Sequence, residues 1–385
     1  MAKQECDILW IGRFDNYSGY RTVSESYLRA FDAVGISYVC LDIESGKIVG
    51  PSRGVNYSFN PLYSCYEFKT VKVAVICDIP KRFTRFKIVG VPVVGCTIFE
   101  TDSVPAAWLN YFEDVDRIWV PTNFNVQTFS KAGIDSSKIG KISYSADPFY
   151  SNFKPKKPDI FSKCIRLLYI CSNFNRKDIS LIISAYLQVV KSYRNIELVI
   201  KTNSNTSKID DILQTGLGAK KDDLQNKGVR IINGKYSKNR LRELYQSTDL
   251  YVTTERAKGW DFPAFDAMCM GIPTVTLDGS AVDFVNSSNG YLVKTRDKIH
   301  IEDFLVENEE IYKLHYWEDI FVDDFADTLL GAIKDVITDR ILKRKNQCKQ
   351  DSTEYSPGII GNEIRCEIEA LINKNKQERI VKVYL

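Results

Sequence analysis

Histidine is almost missing from this chain of 385 residues: the two present are His300 and His315, both late in the sequence. Histidine-rich metal sites, and any histidine base in the first three quarters, are thereby excluded. No run approaches the roughly 18 uninterrupted apolar residues of a membrane helix. The opening MAKQECDILW passes almost at once into a strand-like run and leaves no room for a signal peptide, so a cytoplasmic location is expected. An excess of either charge sign is missing too: 52 Lys and Arg stand against 49 Asp and Glu, and the net +3 is too small by itself to imply a nucleic-acid partner. The ten cysteines contain no C-x-x-C pair, and Cys6, Cys40, Cys77, Cys96, Cys171 and Cys269 lie in or beside apolar runs, which reads as buried free thiols.

What is present is a repeated alternation of short apolar runs and amphipathic stretches. Asp7 to Gly12 (DILWIG) reads as a buried strand, NYSGY as a glycine turn, and Thr22 to Val34 as a helix, which is how a doubly wound sheet opens. Gly19 would let the backbone approach a group at the helix N-terminus, where free N–H groups favour phosphate; a purely structural turn fits equally well. Further strands are expected at Tyr38–Asp42, Val71–Cys77, Val91–Ile98 and Arg117–Pro121. Glu100 and Asp102, in FETDSVP, follow the carboxyl end of one of these, where open α/β sheets place ligands. The plain alternative is a loop whose acid caps the next helix.

The segment Lys81 to Lys87, KRFTRFK, interleaves four basic residues with three others. An anionic lipid surface or a charged acceptor would suit it, and so would a solvated loop. From Pro148 to Asp159 the chain turns to proline, lysine and aromatics, the composition of a linker. The alternation then resumes with strands at Ile165–Cys171, Glu197–Thr202, Val229–Ile232 and Asp249–Thr253. Arg176 and Lys177 stand between the first of these and a helix from Ile179, a strand–loop–helix junction that could clamp a diphosphate.

The stretch from Lys258 to Pro273, KGWDFPAFDAMCMGIP, followed by TVTL, reads as a glycine-bearing loop, an apolar helix stopped by Gly271 and Pro273, and a buried strand. Asp266 interrupts the helix and is expected in its first turn, near the positive end of the helix dipole; there it could bind a sugar diol or simply stabilise the helix. This run resembles the donor-site signature of GT-B glycosyltransferases of family 4, E-G-F/W-G-L-P-x-x-E-A-M-A-x-G-x-P. Gly259, Trp260, Pro263, Ala267, Met268, Gly271 and Pro273 match it, Asp266 stands at the second glutamate, and Lys258 replaces the first. Glu255, three residues before Lys258, is a possible substitute.

The resemblance implies an α/β GT-B fold of two Rossmann-like, doubly wound domains facing each other across a cleft. The expected division is 1–158 for the acceptor domain, completed by a C-terminal helix in 359–385, and 159–358 for the nucleotide-sugar domain. It implies a retaining, metal-independent transfer, of hexosyl type, from a UDP- or GDP-linked sugar, with no cofactor. Donor contacts would come from Gly19, Tyr20, Arg176, Lys177, Gly259, Trp260, Asp261, Phe262 and Asp266. Asp102, Glu100, Lys177 and Lys258 are the catalytic candidates: Lys177 with Arg176 would steady the departing diphosphate, and a phosphate oxygen, Asp102 or Glu100 would take the acceptor proton. The family's clamp arginine falls on Cys171 or Ser172, with Arg176 as a replacement. Expected partners are a nucleotide sugar and a glycan, lipid-linked or protein acceptor, with peripheral membrane contact an option and no nucleic acid. The rival expectation is a non-catalytic, sugar-binding or regulatory subunit.

Overall fold

The computed structural model describes residues 8–14, 18–50, 57–153, 164–171, 178–203, 206–256, 259–279, 282–301, 312, 315–374 and 380–385. The chain divides into two compact units. The first is Met1–Phe99 with Ser103–Asp147 and Glu354–Leu385; the second is Glu100–Asp102 with Pro148–Thr353. The divisions therefore fall at 147/148 and 353/354, earlier than 158/159 and 358/359, because residues just past them already pack. Tyr150, in the helix Pro148–Ser151, is buried 5.8 Å from the Tyr245 ring of the second unit. Tyr355 accepts a hydrogen bond from the Ala146 N–H of the first at 2.7 Å.

The first unit carries β1 (Ile8–Gly12), β2 (Tyr38–Asp42), β3 (Ile48–Val49), β4 (Tyr57–Asn60), β5 (Cys65–Phe68), β6 (Val73–Cys77), β7 (Lys87–Val89), β8 (Val93–Cys96), β9 (Arg117–Val120) and β10 (Ile139–Lys141). Seven of them form one sheet, in the order β10-β9-β8-β6-β1-β2-β3, parallel except for the last pair. The strands β1, β2, β6 and β8 are buried along their whole length, as an internal parallel sheet requires. The helix Gly19–Val34 begins three residues earlier than expected, because Ser18 caps it by accepting the Arg21 N–H at 3.2 Å. It lays Tyr27 and Phe31 onto Trp10, with ring centroids at 5.2 and 5.7 Å, and Tyr27 also donates to the Ile142 carbonyl at 2.8 Å. The long helix Pro357–Lys374 lies so close to this one that a Cβ on Gly361 would sit 2.4 Å from the Ala30 carbonyl oxygen.

The second unit carries β11 (Ile165–Ile170), β12 (Ile196–Thr202), β13 (Val229–Asn233), β14 (Leu250–Val252), β15 (Thr274–Leu277), β16 (Tyr291–Val293), β17 (Lys298–His300) and β18 (Tyr316–Glu318). The first six form an all-parallel sheet in the order β13-β12-β11-β14-β15-β16. The polar stretch after β12 contains the helices Thr206–Leu217 and Lys221–Gln225.

A third element belongs to the first unit and was not anticipated: a four-stranded antiparallel sheet in the order β4-β5-β19-β7, where β19 is Val381–Tyr384 at the far end of the chain. Of the cysteines, Cys40, Cys65, Cys77, Cys96, Cys171, Cys269 and Cys348 are buried free thiols and Cys164 and Cys366 are exposed, while Cys6 lies outside the described residues. Among the described residues no helix is long and apolar enough to cross a membrane.

Candidate functional site

In the second unit the chain proceeds from β11 toward β12 and β13 on one side, and from β14 toward β15 and β16 on the other, although β11 and β14 are neighbours. At such a reversal the loops leaving the two strands diverge, and an open α/β sheet has its natural crevice at the carboxyl ends there. Two helices start from this place. After β11 comes Ile179–Val189, capped by Asp178, which accepts the Leu181 N–H at 2.9 Å. After β14 comes Phe262–Cys269, capped by Asp261, which accepts the Ala264 N–H at 3.1 Å.

The two cap regions are tied together. Thr254 donates its hydroxyl to the Asp178 carbonyl at 3.0 Å, and Arg256 Nη1 reaches Asp178 Oδ2 at 2.5 Å, with Asp319 3.7 Å from Nη2. Asp178 holds a left-handed backbone, φ 33°, which an aspartate tolerates better than most residues. With a side chain only 6 % exposed, Arg256 is a buried cation paired with a carboxylate. Two helix N-termini thus meet at the reversal with an ion pair between their cap regions, and a helix N-terminus favours an anionic group.

At the end of the neighbouring β12, Lys201 is also buried. Its ammonium donates to the Thr202 and Gly234 carbonyls at 2.9 and 2.5 Å, and burial draws its pKa below the ordinary lysine value. The Tyr236 ring lies 4.8 Å from that ammonium and 4.0 Å from the Arg240 guanidinium. Glu255 and Asp261 are buried near Tyr169, whose hydroxyl is pushed far up in pKa by burial first, and then by charges including theirs.

The residues singled out in the sequence fare unequally. Asp266 is not in the first turn of its helix. The first helical residue is Phe262, so Asp266 falls in the second turn, and the position at the dipole end is taken by Asp261, with Pro263 locking the start. Asp266 remains half-buried and close enough to Tyr245 to raise that hydroxyl's pKa, after burial. Asp261 spends its carboxylate on the helix start and on Thr253, whose hydroxyl donates at 3.3 Å. Trp260 packs in an aromatic trio, 5.0 Å from Phe265 and 4.9 Å from Phe284, which fastens the loop after β15 to the helix. Gly259 is buried beside it, and Phe262 opens the helix half-buried. Arg176, Lys177 and Lys258 lie outside the described residues, flanked by Asp178 on one side and by Arg256 and Gly259 on the other.

Glu100 and Asp102, expected at the end of a first-domain strand, cluster with the second unit, drawn there by the segment around β18. Glu100 accepts from the Tyr312 hydroxyl at 2.9 Å, Asp102 accepts from the Tyr316 N–H at 3.0 Å, and Thr101 lies 2.5 Å from His315 Nδ1. Both acids are thereby engaged by Tyr312 and Tyr316.

In the first unit, Gly19 is the first residue of its helix rather than part of a turn. Its backbone needs no glycine, and the space a Cβ would occupy is open. Tyr20 is half-buried with its hydroxyl 3.2 Å from Thr97 Oγ1. Sequence reasoning missed a charged cluster at the carboxyl ends of β1, β2 and β6. Arg13 makes a two-pronged contact with fully buried Asp78 at 2.6 and 3.0 Å and a 3.2 Å ion pair with Glu44, and hydrogen bonding to Asp78 raises its pKa. Asp42 is buried, which alone would raise its carboxyl, but hydrogen bonds from Ser45 at 2.7 Å and from the Phe14 N–H at 3.2 Å outweigh burial and hold it below the usual range. The available signal was the polar residue that ends each apolar run. Among the described residues no group of three or more metal-binding side chains is assembled.

Residues 165–307 match the model of glycosyl transferases group 1. By sequence, no curated protein matches the chain. The structure is similar to a glycosyltransferase from Rickettsia africae, at a TM-score of 0.67 and 13% identity over 97% of this chain and 100% of that one. It is similar to Anabaena HepE in complex with UDP-glucose, at a TM-score of 0.64 and 13% identity over 95% of this chain and 100% of that one. It also resembles TarM, at a TM-score of 0.56 and 16% identity, covering 79% of this chain and 55% of TarM, so the chain spans about half the length of that relative. The fold is the GT-B fold of glycosyltransferases: two units, each built on a parallel sheet clothed by helices.

Proposed function

We propose that the chain is a glycosyltransferase that takes a sugar from a nucleotide diphosphate donor, UDP-linked, and passes it to an acceptor hydroxyl with retention of anomeric configuration. The observation that carries this reading is the meeting of two capped helix N-termini and the Arg256–Asp178 pair at the β11/β14 reversal, inside the segment that matches the glycosyltransferase model. UDP in particular is suggested by the complexes formed by the structural relatives, HepE with UDP-glucose and the pneumococcal transferase GtfA with UDP and GlcNAc.

In this reading Asp266 binds the ribose diol, and Arg176, Lys177 and Lys258 act on the diphosphate and the transferred sugar. The bond from the sugar's anomeric carbon to the phosphate oxygen breaks as the acceptor oxygen bonds to that carbon on the same face. The electron pair leaves with the diphosphate, and the acceptor proton moves to a diphosphate oxygen. Positive groups around the departing diphosphate stabilise that charge without requiring a metal. The engagement of Glu100 and Asp102 by Tyr312 and Tyr316 makes the phosphate oxygen the better proton acceptor of those considered. The acceptor, whether glycan, lipid-linked or protein, is held by the first unit.

A second reading is favoured by one observation: Lys258 stands where the resembling family has its first glutamate. A chain that binds the donor without transferring from it would serve as a regulatory subunit. Calorimetry with UDP, GDP and ADP, followed by donor hydrolysis with a UDP-sugar panel, decides. Binding of UDP together with turnover supports transfer, binding without turnover supports the regulatory subunit, and no binding of any nucleotide overturns both.

A further inference from the structure

The four-stranded sheet β4-β5-β19-β7 plays no part in the site described above, and its β4–β5 hairpin ends in an unusual surface. The turn is Asn60-Pro61-Leu62-Tyr63-Ser64, with Leu62 89% and Tyr63 68% exposed. It is a shaped turn: the Leu62 N–H donates to Asn60 Oδ1 at 3.1 Å, and Ser64 takes a left-handed φ of 45°. Behind it, Tyr57 and Phe59 on edge strand β4 are 43% and 47% exposed, and Phe59 stacks 5.0 Å from Tyr66 on the same face. Leaving a leucine and a tyrosine at a tip in water wastes apolar surface that a partner or an interface would cover.

The surroundings of the tip are basic. The row of residues nearest it runs Asn60, Cys65, Tyr384, Lys87 across the four strands. Leu385 donates its N–H to the Ser64 carbonyl at 3.0 Å, and its side chain lies by Gly46, where a Cβ would be 3.4 Å from it; Phe86 lies against Gly46 as well. The turn around Gly46 and the segment 81–87 therefore come to the same end of the sheet as the tip. They bring exposed Lys47, Lys81, Arg85 and Lys87 with them. The acid Glu44 is already matched by Arg13 and Arg82 at 3.2 and 3.0 Å, and Glu67 by Lys382 at 3.2 Å.

We propose that the β4–β5 tip and the basic residues beside it form a docking surface for an anionic lipid bilayer, with Leu62 and Tyr63 entering the headgroup region and Lys47, Lys81, Arg85 and Lys87 facing anionic headgroups. Charge complementarity selects this occupant. A second copy of the chain would set one cluster of four cations against another, whereas a bilayer carrying anionic lipid attracts each of them. A tyrosine beside a leucine suits the interfacial layer, where an amphipathic ring keeps its hydroxyl in the wet zone. Neither charge nor the tip alone would hold the protein, since stable peripheral attachment needs two signals together. The surface is independent of whether the second unit transfers a sugar.

The test is co-sedimentation of the full chain with phosphatidylcholine vesicles and with mixed phosphatidylcholine–phosphatidylglycerol vesicles, at low and raised salt. Binding is expected only to the anionic vesicles and should fall as salt rises. Lys81→Gln and Lys87→Gln should each weaken it about fivefold, and the Leu62→Ser, Tyr63→Ser pair should weaken it on anionic vesicles at every salt concentration. Lys191→Gln, an exposed lysine of the second unit, should leave it unchanged. Far-UV circular dichroism of each variant confirms that these surface changes leave the fold intact. Equal binding to both vesicle types, variants that bind like the parent, or an equal loss with Lys191→Gln overturns the proposal. So does light scattering that shows a dimer of the parent chain which the tip variants dissociate, since the tip would then join copies.

Discussion

Arg256 Nη1 lies 2.5 Å from Asp178 Oδ2, joining the loop after β14 to the residue that caps the helix after β11. The two residues are 78 positions apart in sequence, and their pairing ties together the cap regions of the two helices that start at the β11/β14 reversal. Arg256→Ala leaves a partly buried carboxylate without this counter-charge and should destabilise the second unit by about 3 kcal/mol. Urea unfolding measures this, and UDP affinity by calorimetry should fall in the same variant. A loss near zero in both would mean that the pair holds nothing together.

Asp261 caps its helix, whereas in the proposed reading Asp266 holds the ribose. Asp261→Ala removes the cap and should cost about 1 kcal/mol of stability in thermal unfolding. Asp266→Ala should leave the melting temperature nearly unchanged while weakening UDP by roughly ten- to a hundredfold, the worth of hydrogen bonds to a charged group. If Asp266→Ala binds UDP like the parent chain, the ribose assignment is wrong.

Gly361 marks the closest approach of the helices Gly19–Val34 and Pro357–Lys374. A methyl group there would stand 2.4 Å from a backbone oxygen that cannot swing aside, and 2.8 Å from Val34 Cγ1. Gly361→Ala should therefore cost about 1–3 kcal/mol, although alanine is the better helix former. A rise in melting temperature would show that the two helices separate without penalty.

Asp42 makes a prediction about pH. Its carboxyl has a lower pKa in the folded chain than the ordinary 3.8, so folding favours the ionised form. The stabilisation it provides is present above about 3.8 and is lost as pH falls through the lowered folded value. The stability gap between the parent and Asp42→Asn should thus be constant near neutrality and close under acid. A gap that widens on acidification reverses the sign and refutes the assignment.

In the proposed reading Lys258 acts on the transferred sugar, and donor choice tests it. Lys258→Glu restores the acid of the resembling pattern, and a UDP-sugar panel compared between parent and variant should show a changed order of preference. An identical order would remove Lys258 from contact with the sugar.

The sequence by itself determined the alternation of buried strands and amphipathic helices in both halves, because an internal parallel strand must be apolar along its length. It also placed the glycine–aromatic loop and apolar helix between β14 and β15, since Gly259, Pro263 and Gly271 act locally. The helix register was within reach as well: the aspartate directly before Phe262-Pro263 is a capping signal, and the resemblance drew attention to Asp266 instead. Other features depended on tertiary structure alone. The pairing of Arg256 with Asp178, the capture of Glu100 and Asp102 by Tyr312 and Tyr316, and the sheet that joins β4, β5 and β7 to β19 all bring together residues far apart in the chain. Such contacts leave no local periodicity, and strands of three or four residues are too short to announce themselves; only the folded chain closes those distances.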